Sequence, residues 1–285
     1  MDDAEPLLSV RHLRVGFDAH VPTEATRAAL DDVSFDVRRQ GVLGIVGESG
    51  SGKSLTALSI IGLLPSSARV MNGNVLFRGR DLLGLSEHEM QLVRGPQIAM
   101  VFQEPATALS PVHTVGWHLG TALRAVGRVS AHRWFGRSER AARKDSLELL
   151  ARVELPDPQR LLDMYPHQLS AGMRRRVLIA LALAGHPAIL IADEATTGLD
   201  APIQAQVIDL FARLRREQGM TIIFITHDLA VLSELATDIA VMHAGKVVEA
   251  GPASTLLRAP EHPYTRALLA GIPGSLPAPE AGYVS

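Results

Sequence analysis

The residues best suited to chemistry are Gly47-Glu48-Ser49-Gly50-Ser51-Gly52-Lys53-Ser54. They fit the phosphate-binding pattern G-x-x-x-x-G-K-[ST] at every fixed position. Glycines let backbone N–H groups close around an anion, and the start of a following helix adds a favourable dipole. In such a loop Lys53 reaches the β- and γ-phosphates, and the Ser54 hydroxyl ligates Mg2+. A plain Gly/Ser turn rarely sets Gly-Lys-Ser at a helix start. The segment reads as a nucleotide site.

Other polar residues stand at the ends of apolar runs. The run 188–192 leads straight into Asp193-Glu194. Two carboxylates at the end of a strand buried on both faces are costly unless a metal or water meets them. Asp193 is therefore expected to hold Mg2+, and Glu194 to orient or deprotonate an attacking water. The plainer alternative is a pair capping the next helix. Gln103 follows the run 98–102 and is either a loop residue or an amide reaching the metal or that water. His227 follows the run 221–226 and could contact the γ-phosphate. Phe17 ends the first strand, either stacking on an adenine ring or closing a sheet edge. Polar residues at successive strand ends collect on one edge, where open parallel sheets bind ligands.

These groups need a frame, and the patterning supplies one. Strands are expected over 7–15, 30–37 (with Val33, Phe35 and Val37 inward), 42–46, 75–77, 98–102, 188–192 and 221–226. A hairpin through Ala244-Gly245 should join 240–243 to 246–249. Residues 18–29, with Pro22, read as a loop, Asn72-Gly73 as a turn, and 195–200 as another. Helices are expected over 55–64, 86–93, 201–218 and 255–258. Ser86 and Glu89 suit a capping box. Ser170 suits an N-cap for a helix running to 184.

Between 114 and 163 the pattern is helical, with Val115, His118, Leu119 and Ala122 on one face and Leu147, Leu149, Leu150 and Val153 on another. The Arg-rich stretch 128–144 reads as a solvated face, or else as a basic contact for a partner or anionic lipid. This block interrupts the strand–helix alternation and reads as an inserted helical subdomain. Arg174-Arg175-Arg176 at a helix start oppose the dipole unless an anion binds there.

Composition sets the outer bounds. At 285 residues the chain can bury a full core, with a 47% hydrophobic share and a formal charge of −2. That charge argues against a broad nucleic-acid face. The absence of cysteine excludes disulfides, thiolate zinc sites and iron–sulfur clusters. The eleven histidines are scattered, so no dedicated metal cluster is expected. The acidic start is no signal peptide. The most apolar stretch, 177–192, is broken by Gly185-His186-Pro187. A soluble, cytoplasmic protein is expected.

Taken in order, the loop at Gly47, Gln103, Leu169-Ser170-Ala171-Gly172-Met173, Asp193-Glu194, Gly198-Leu199-Asp200 and His227 resemble the ATP-binding-cassette family. Tyr165-Pro166-His167-Gln168, Phe102-Gln103-Glu104-Pro105 and His262-Pro263-Tyr264 resemble the ATPase subunits of dipeptide, oligopeptide and nickel importers. The resemblance implies a P-loop NTPase α/β cassette over 1–250, with N-terminal antiparallel strands and a helical subdomain over about 104–175. It also implies a C-terminal extension over 251–285.

ATP and Mg2+ are the implied cofactors. Ser54, Gln103 and Asp193 would serve the metal, Glu194, His227 and Gln103 the chemistry, and Phe17, residues 47–54 and Asp200 the nucleotide. Two chains would sandwich ATP, each offering Ser170 and Gly172 to the other's nucleotide. Permease subunits, a companion ATPase chain and, indirectly, an external solute-binding protein are the implied partners, with no nucleic acid. The implied location is the cytoplasmic face of the membrane, and the cargo is a di- or oligopeptide, or else nickel or another small solute. A soluble cassette factor would need a long coiled coil or a second cassette. A non-hydrolysing scaffold would not need Glu194 and His227. Three departures stand out: Ala171 where the family usually has Gly, Ala195 in place of Pro, and no cysteine-bearing tail segment.

Overall fold

The computed structural model describes residues 5–17, 28–102, 108–127 and 137–270. Two compact units emerge: Met1–Leu83 with Phe224–Ser285, and Gly84–Ile223.

In the first unit, β1 (Leu8–Phe17) pairs antiparallel with β2 (Ala28–Val37), setting Val10 against Phe35. Val33, Phe35 and Val37 are buried as their alternation predicts. Most of the expected loop 18–29 lies outside the described residues, but Ala28 and Ala29 belong to β2, because Ala28 pairs with Gly16. β3 (Val42–Val46) is buried throughout and runs into the glycine-rich loop, after which α1 (Lys53–Ile60) begins. That helix stops short of the expected 64, because Gly62 turns left-handed at φ 63°.

β4 (Ala68–Phe77) and β5 (Arg80–Asp81) complete a four-stranded antiparallel sheet in the order β2-β1-β4-β5. Asn72-Gly73 is not a turn but lies inside β4. The register with β1 slips between Arg11 and Arg14, and His12 is left-handed there at φ 49°. A side chain at Gly73 would come within 2.6 Å of the Arg11 and His12 carbonyl oxygens. The glycine serves a bulge where two backbones approach, not a reversal.

The second unit opens with α2 (Glu87–Val93). Ser86 Oγ accepts from the Glu89 N–H, and Glu89 accepts from the Ser86 N–H at 2.9 Å, the expected capping box. β6 (Ile98–Val101) follows. α3 (Val115–Ala125), capped by Thr114, buries Val115, Leu119 and Leu123. The expected His118 and Ala122 sit at the margin of that face, half-buried. α4 (Arg137–Arg152) buries Leu149 and Leu150, with Val153 just beyond. Of the Arg-rich stretch, 128–136 lies outside the described residues. Arg140, Arg143 and Lys144 are exposed, with Lys144 3.8 Å from Glu148, a solvated face of weak ion pairs.

Beyond α5 (Pro158–Leu161) and a 3-10 turn at Pro166–Gln168 comes α6 (Ala171–Ala182). The chain tightens into a second 3-10 turn, Leu183–Gly185, where the sequence suggested more α-helix. β7 (Ile189–Asp193) lies parallel to β6. α7 (Ala201–Gln218) has the predicted bounds and buries Val207, Leu210, Phe211 and Leu214.

β8 (Thr221–Thr226), wholly buried, carries the chain from the second unit back to the first. There α8 (Leu229–Leu235) precedes β9 (Asp238–His243), which is parallel to β3. β10 (Lys246–Pro252) returns antiparallel through left-handed Ala244 and Gly245, the expected hairpin. α9 (Ala253–Leu256) starts two residues before its expected position. α10 (Pro263–Ala270) closes the described chain, and the Pro/Gly-rich end lies beyond it. The fold is mixed α/β, with parallel pairing in both units and an antiparallel N-terminal sheet.

Candidate functional site

The phosphate loop is held from several sides within the first unit. Gly47 has φ 156°, which residues with a side chain rarely adopt, and a Cβ there would lie 2.1 Å from the Met242 carbonyl oxygen, so no other residue fits. The Gly245 N–H donates to the Ser51 carbonyl at 3.1 Å. Lys53 is buried, and its Nζ donates to the Gly47 and Glu48 carbonyls at 2.7 and 2.8 Å. Its ammonium therefore lies inside the loop. Glu48, Ser49 and Gly50 are exposed, and Ser54 is half-buried at the start of α1. Gly52, ahead of that helix, offers no side-chain cap.

Two more predicted residues belong to this unit. Phe17 ends β1 with 41% of its surface exposed, which removes the reading of a buried sheet-edge residue. His227 is exposed immediately after β8. Asp228 beside it caps α8, accepting from the Ala230 N–H at 2.8 Å.

The second unit holds the carboxylates and the serine-led helix. Asp193 is the last residue of β7 and buried. Glu194 leaves the strand with a left-handed backbone at φ 46°. For a residue other than glycine, such a backbone costs of order 1–2 kcal/mol and turns the side chain sharply from the strand direction. Its Oε2 accepts from the Thr197 hydroxyl at 3.1 Å, and its carbonyl from the Thr197 N–H. Asp200, not the carboxylate pair, caps the following helix, taking the Ile203 N–H at 3.1 Å. The capping alternative for Asp193-Glu194 therefore falls.

Ser170 caps α6, with Oγ accepting from the Met173 N–H at 3.2 Å. Gly172 is buried, and a Cβ there would lie 2.7 Å from Ile203 Cγ2. This contact brings the starts of α6 and α7 together. Gln103 lies outside the described residues.

The arginines behind Ser170 do not need an anion. Arg174 donates to the Leu169 carbonyl at 2.7 Å, and Arg176 to the Val153 carbonyl at 2.8 Å. Arg175 is buried and donates to the Phe102 carbonyl at 3.2 Å, and burial pushes its pKa down. Their charges are met by backbone carbonyl oxygens.

Sequence reasoning missed Thr197 and Tyr264 as site residues. The Tyr264 hydroxyl accepts from the Glu48 N–H at 3.1 Å. Thr197 was findable, three residues after a strand-end glutamate. Tyr264 was not, because nothing local links it to a loop so far away in sequence.

An α/β fold whose glycine-rich loop encloses a buried lysine at a helix start defines a phosphate-binding nucleotide protein. The ABC transporter family model matches residues 30–197. A probable peptide ABC transporter ATP-binding protein, y4tR of Sinorhizobium fredii, is 49% identical over 95% of this chain and 78% of its own length. The dipeptide transport ATP-binding protein DppD of Bacillus subtilis is 47% identical over 94% of this chain and 77% of its own. Among solved structures, a dimeric post-hydrolysis state of the ATP-binding cassette MJ0796, bound to ADP and Pi, superposes with a TM-score of 0.72. It is 27% identical and covers 86% of this chain and 98% of its own. The chain belongs to the ABC transporter family. Within that family it is an ATP-binding, ATP-hydrolysing subunit.

Proposed function

We propose that the chain energises a peptide importer, pairing with a second cassette so that two ATP molecules lie between the two subunits. The observation that carries this reading is the buried Lys53 ammonium inside the glycine loop, on a chain similar along most of its length to peptide transport ATP-binding proteins. The extension over 251–285 would follow a cassette over 1–250 whose helical subdomain, about 104–175, meets the permease. No helix among the described residues is long and apolar enough to cross a membrane. Attachment to the cytoplasmic face would therefore come through the permease, with an external solute-binding protein delivering the peptide.

In the working site, Lys53 turns from the loop carbonyls to the β- and γ-phosphates, while Phe17 stacks on the base. By the family resemblance the Ser54 hydroxyl, the Gln103 amide and the Asp193 carboxylate, hard oxygen ligands that suit Mg2+, would hold that ion. Bound there, Mg2+ would neutralise charge developing on the phosphates. Glu194 takes or orients the water's proton, held by Thr197. His227 contacts the γ-phosphate. Asp200 serves the nucleotide, and Ser170 and Gly172 serve the partner's.

The test is Glu194→Gln in the complex assembled with permease and companion chain. ATP should still bind and trap the dimer, while turnover falls about 10²- to 10⁴-fold and uptake of a labelled dipeptide into vesicles stops. Near-normal turnover would exclude Glu194 as the group acting on water. Intact turnover in the parent complex with neither dipeptide stimulation nor dipeptide uptake would exclude the cargo.

A further inference from the structure

We propose that Tyr264, in the C-terminal extension, is a positioning residue of the phosphate loop, so that the extension contributes to nucleotide affinity. The inference rests on the nucleotide-site reading above. Glu48 is pinned at both ends of its backbone: its N–H donates to the Tyr264 hydroxyl at 3.1 Å, and its carbonyl accepts from Lys53 Nζ at 2.8 Å. The second bond is the one given up when Lys53 turns to a phosphate. The first does not involve Lys53, and it remains to hold the Glu48 peptide in place when the lysine turns. A loop already held pays less ordering entropy on binding.

The hydroxyl is itself well placed. The Tyr264 ring lies against His243 at the end of β9, with centroids 4.1 Å apart. Its backbone N–H donates to His262 Nδ1 at 3.2 Å. Ahead of it, the Glu249 carboxylate on β10 accepts from the Glu261 and His262 N–H groups at 2.9 and 3.0 Å. Burial would raise the Glu249 carboxyl, but hydrogen bonds and the His262 imidazole outweigh it, and the carboxyl is held below its ordinary range. The next residue, Thr265, is fully buried. So β10 anchors the start of α10, and α10 delivers one hydroxyl to the phosphate loop. All of these residues lie in the first unit.

The experiment is calorimetric titration of the full-length chain with ATP and Mg2+, well below its Tm, so that lost stability cannot imitate lost affinity. Tyr264→Phe keeps the ring on His243 and removes only the acceptor. It should raise Kd about two- to tenfold, the range expected of one neutral hydrogen bond. In the assembled transporter KM for ATP should rise by a similar factor while kcat moves less than KM. A Kd equal to the parent's, whether or not Tm falls, would overturn the proposal and leave Tyr264 a packing residue. Lys53→Ala is the control on the underlying reading and should abolish measurable binding. If Lys53→Ala binds ATP like the parent, the nucleotide-site reading fails. If binding is lost there but unaltered in Tyr264→Phe, only the role of Tyr264 fails.

Discussion

Two helices begin behind Gly/Ser-containing segments, and their starts are built in opposite ways. α1 starts behind Gly52, which has no side chain to take an N–H, and a buried lysine stands at its first position. α6 starts behind Ser170, whose Oγ already takes the Met173 N–H. Each helix start presents up to four N–H groups without an intrahelical partner. At α1 the chain supplies a cation and no side-chain cap, an arrangement that suits the anion of the proposed site. At α6 it caps the helix itself, so this start folds without a ligand. A surface already satisfied at home can meet another molecule without refolding. That suits Ser170 to a nucleotide held by a different chain, as the loop before α1 suits one held by its own.

The sharpest way to break this contrast is Ser170→Asp. Aspartate caps as well as serine and favours the helix dipole, so Tm should hold. The isolated chain should also bind ATP with unaltered Kd, because α1 is untouched. If the proposed sandwich holds, a carboxylate in the assembled transporter would face the partner's phosphates. Like charges brought together cost several kcal/mol, and turnover should fall on the order of 10²-fold or more. Full activity in this variant would mean that Ser170 only caps its own helix.

How far the sequence disclosed this contrast depends on the range over which each residue acts. The phosphate loop was legible because its chemistry fixes residue types within one short segment. The Ser86 and Ser170 caps were legible for a similar reason, since a cap acts three residues ahead. α7 and β8 came out with their predicted bounds because each has a clean period and a Gly219 stop between them. Contacts made across the chain left no such trace. Asn72-Gly73 looks like a turn until β1 is beside it, and Gly172 looks purely functional until Ile203 is found above it. Glu48 and Tyr264 are 216 residues apart, and no local period joins them.

Gly172 shows a middle-sized effect and separates packing from function. Gly172→Ala would place a methyl 2.7 Å from Ile203 Cγ2, so a β-branched side chain must move. Overpacking of this kind costs about 1–3 kcal/mol, offset by up to about 1 kcal/mol of helix propensity. Tm should drop by a few degrees, roughly 2–4 °C per kcal/mol at this size. Adding Ile203→Ala, at a half-buried position, should restore much of that loss. If turnover in the assembled complex returns together with Tm, Gly172 is there for packing against α7. If Tm returns and turnover does not, the missing Cβ is needed by the partner's nucleotide.

The smallest effect is expected at Ala171, between those two residues. Family resemblance puts glycine there, so the question is whether the backbone requires it. It does not: Ala171 is the first residue of α6 and is not among the residues with positive φ. A left-handed position would have charged alanine roughly 1–2 kcal/mol, whereas in a helix alanine is favoured over glycine by up to about 1 kcal/mol. Ala171 is also exposed, so its methyl displaces nothing within its own chain. In the proposed sandwich, any cost must arise where this helix start would meet the partner's phosphates. Ala171→Gly should therefore lower Tm slightly and change turnover by less than about tenfold, equivalent to 1.4 kcal/mol. The measurement is single-site turnover, with the companion's own catalytic glutamate disabled in one arm and Glu194 in the other. A gain well beyond tenfold, confined to the site that borrows this helix, would show that the methyl crowds that nucleotide. The two helix starts would then differ in competence as well as in capping, and this chain would pace its partner's ATP rather than match it.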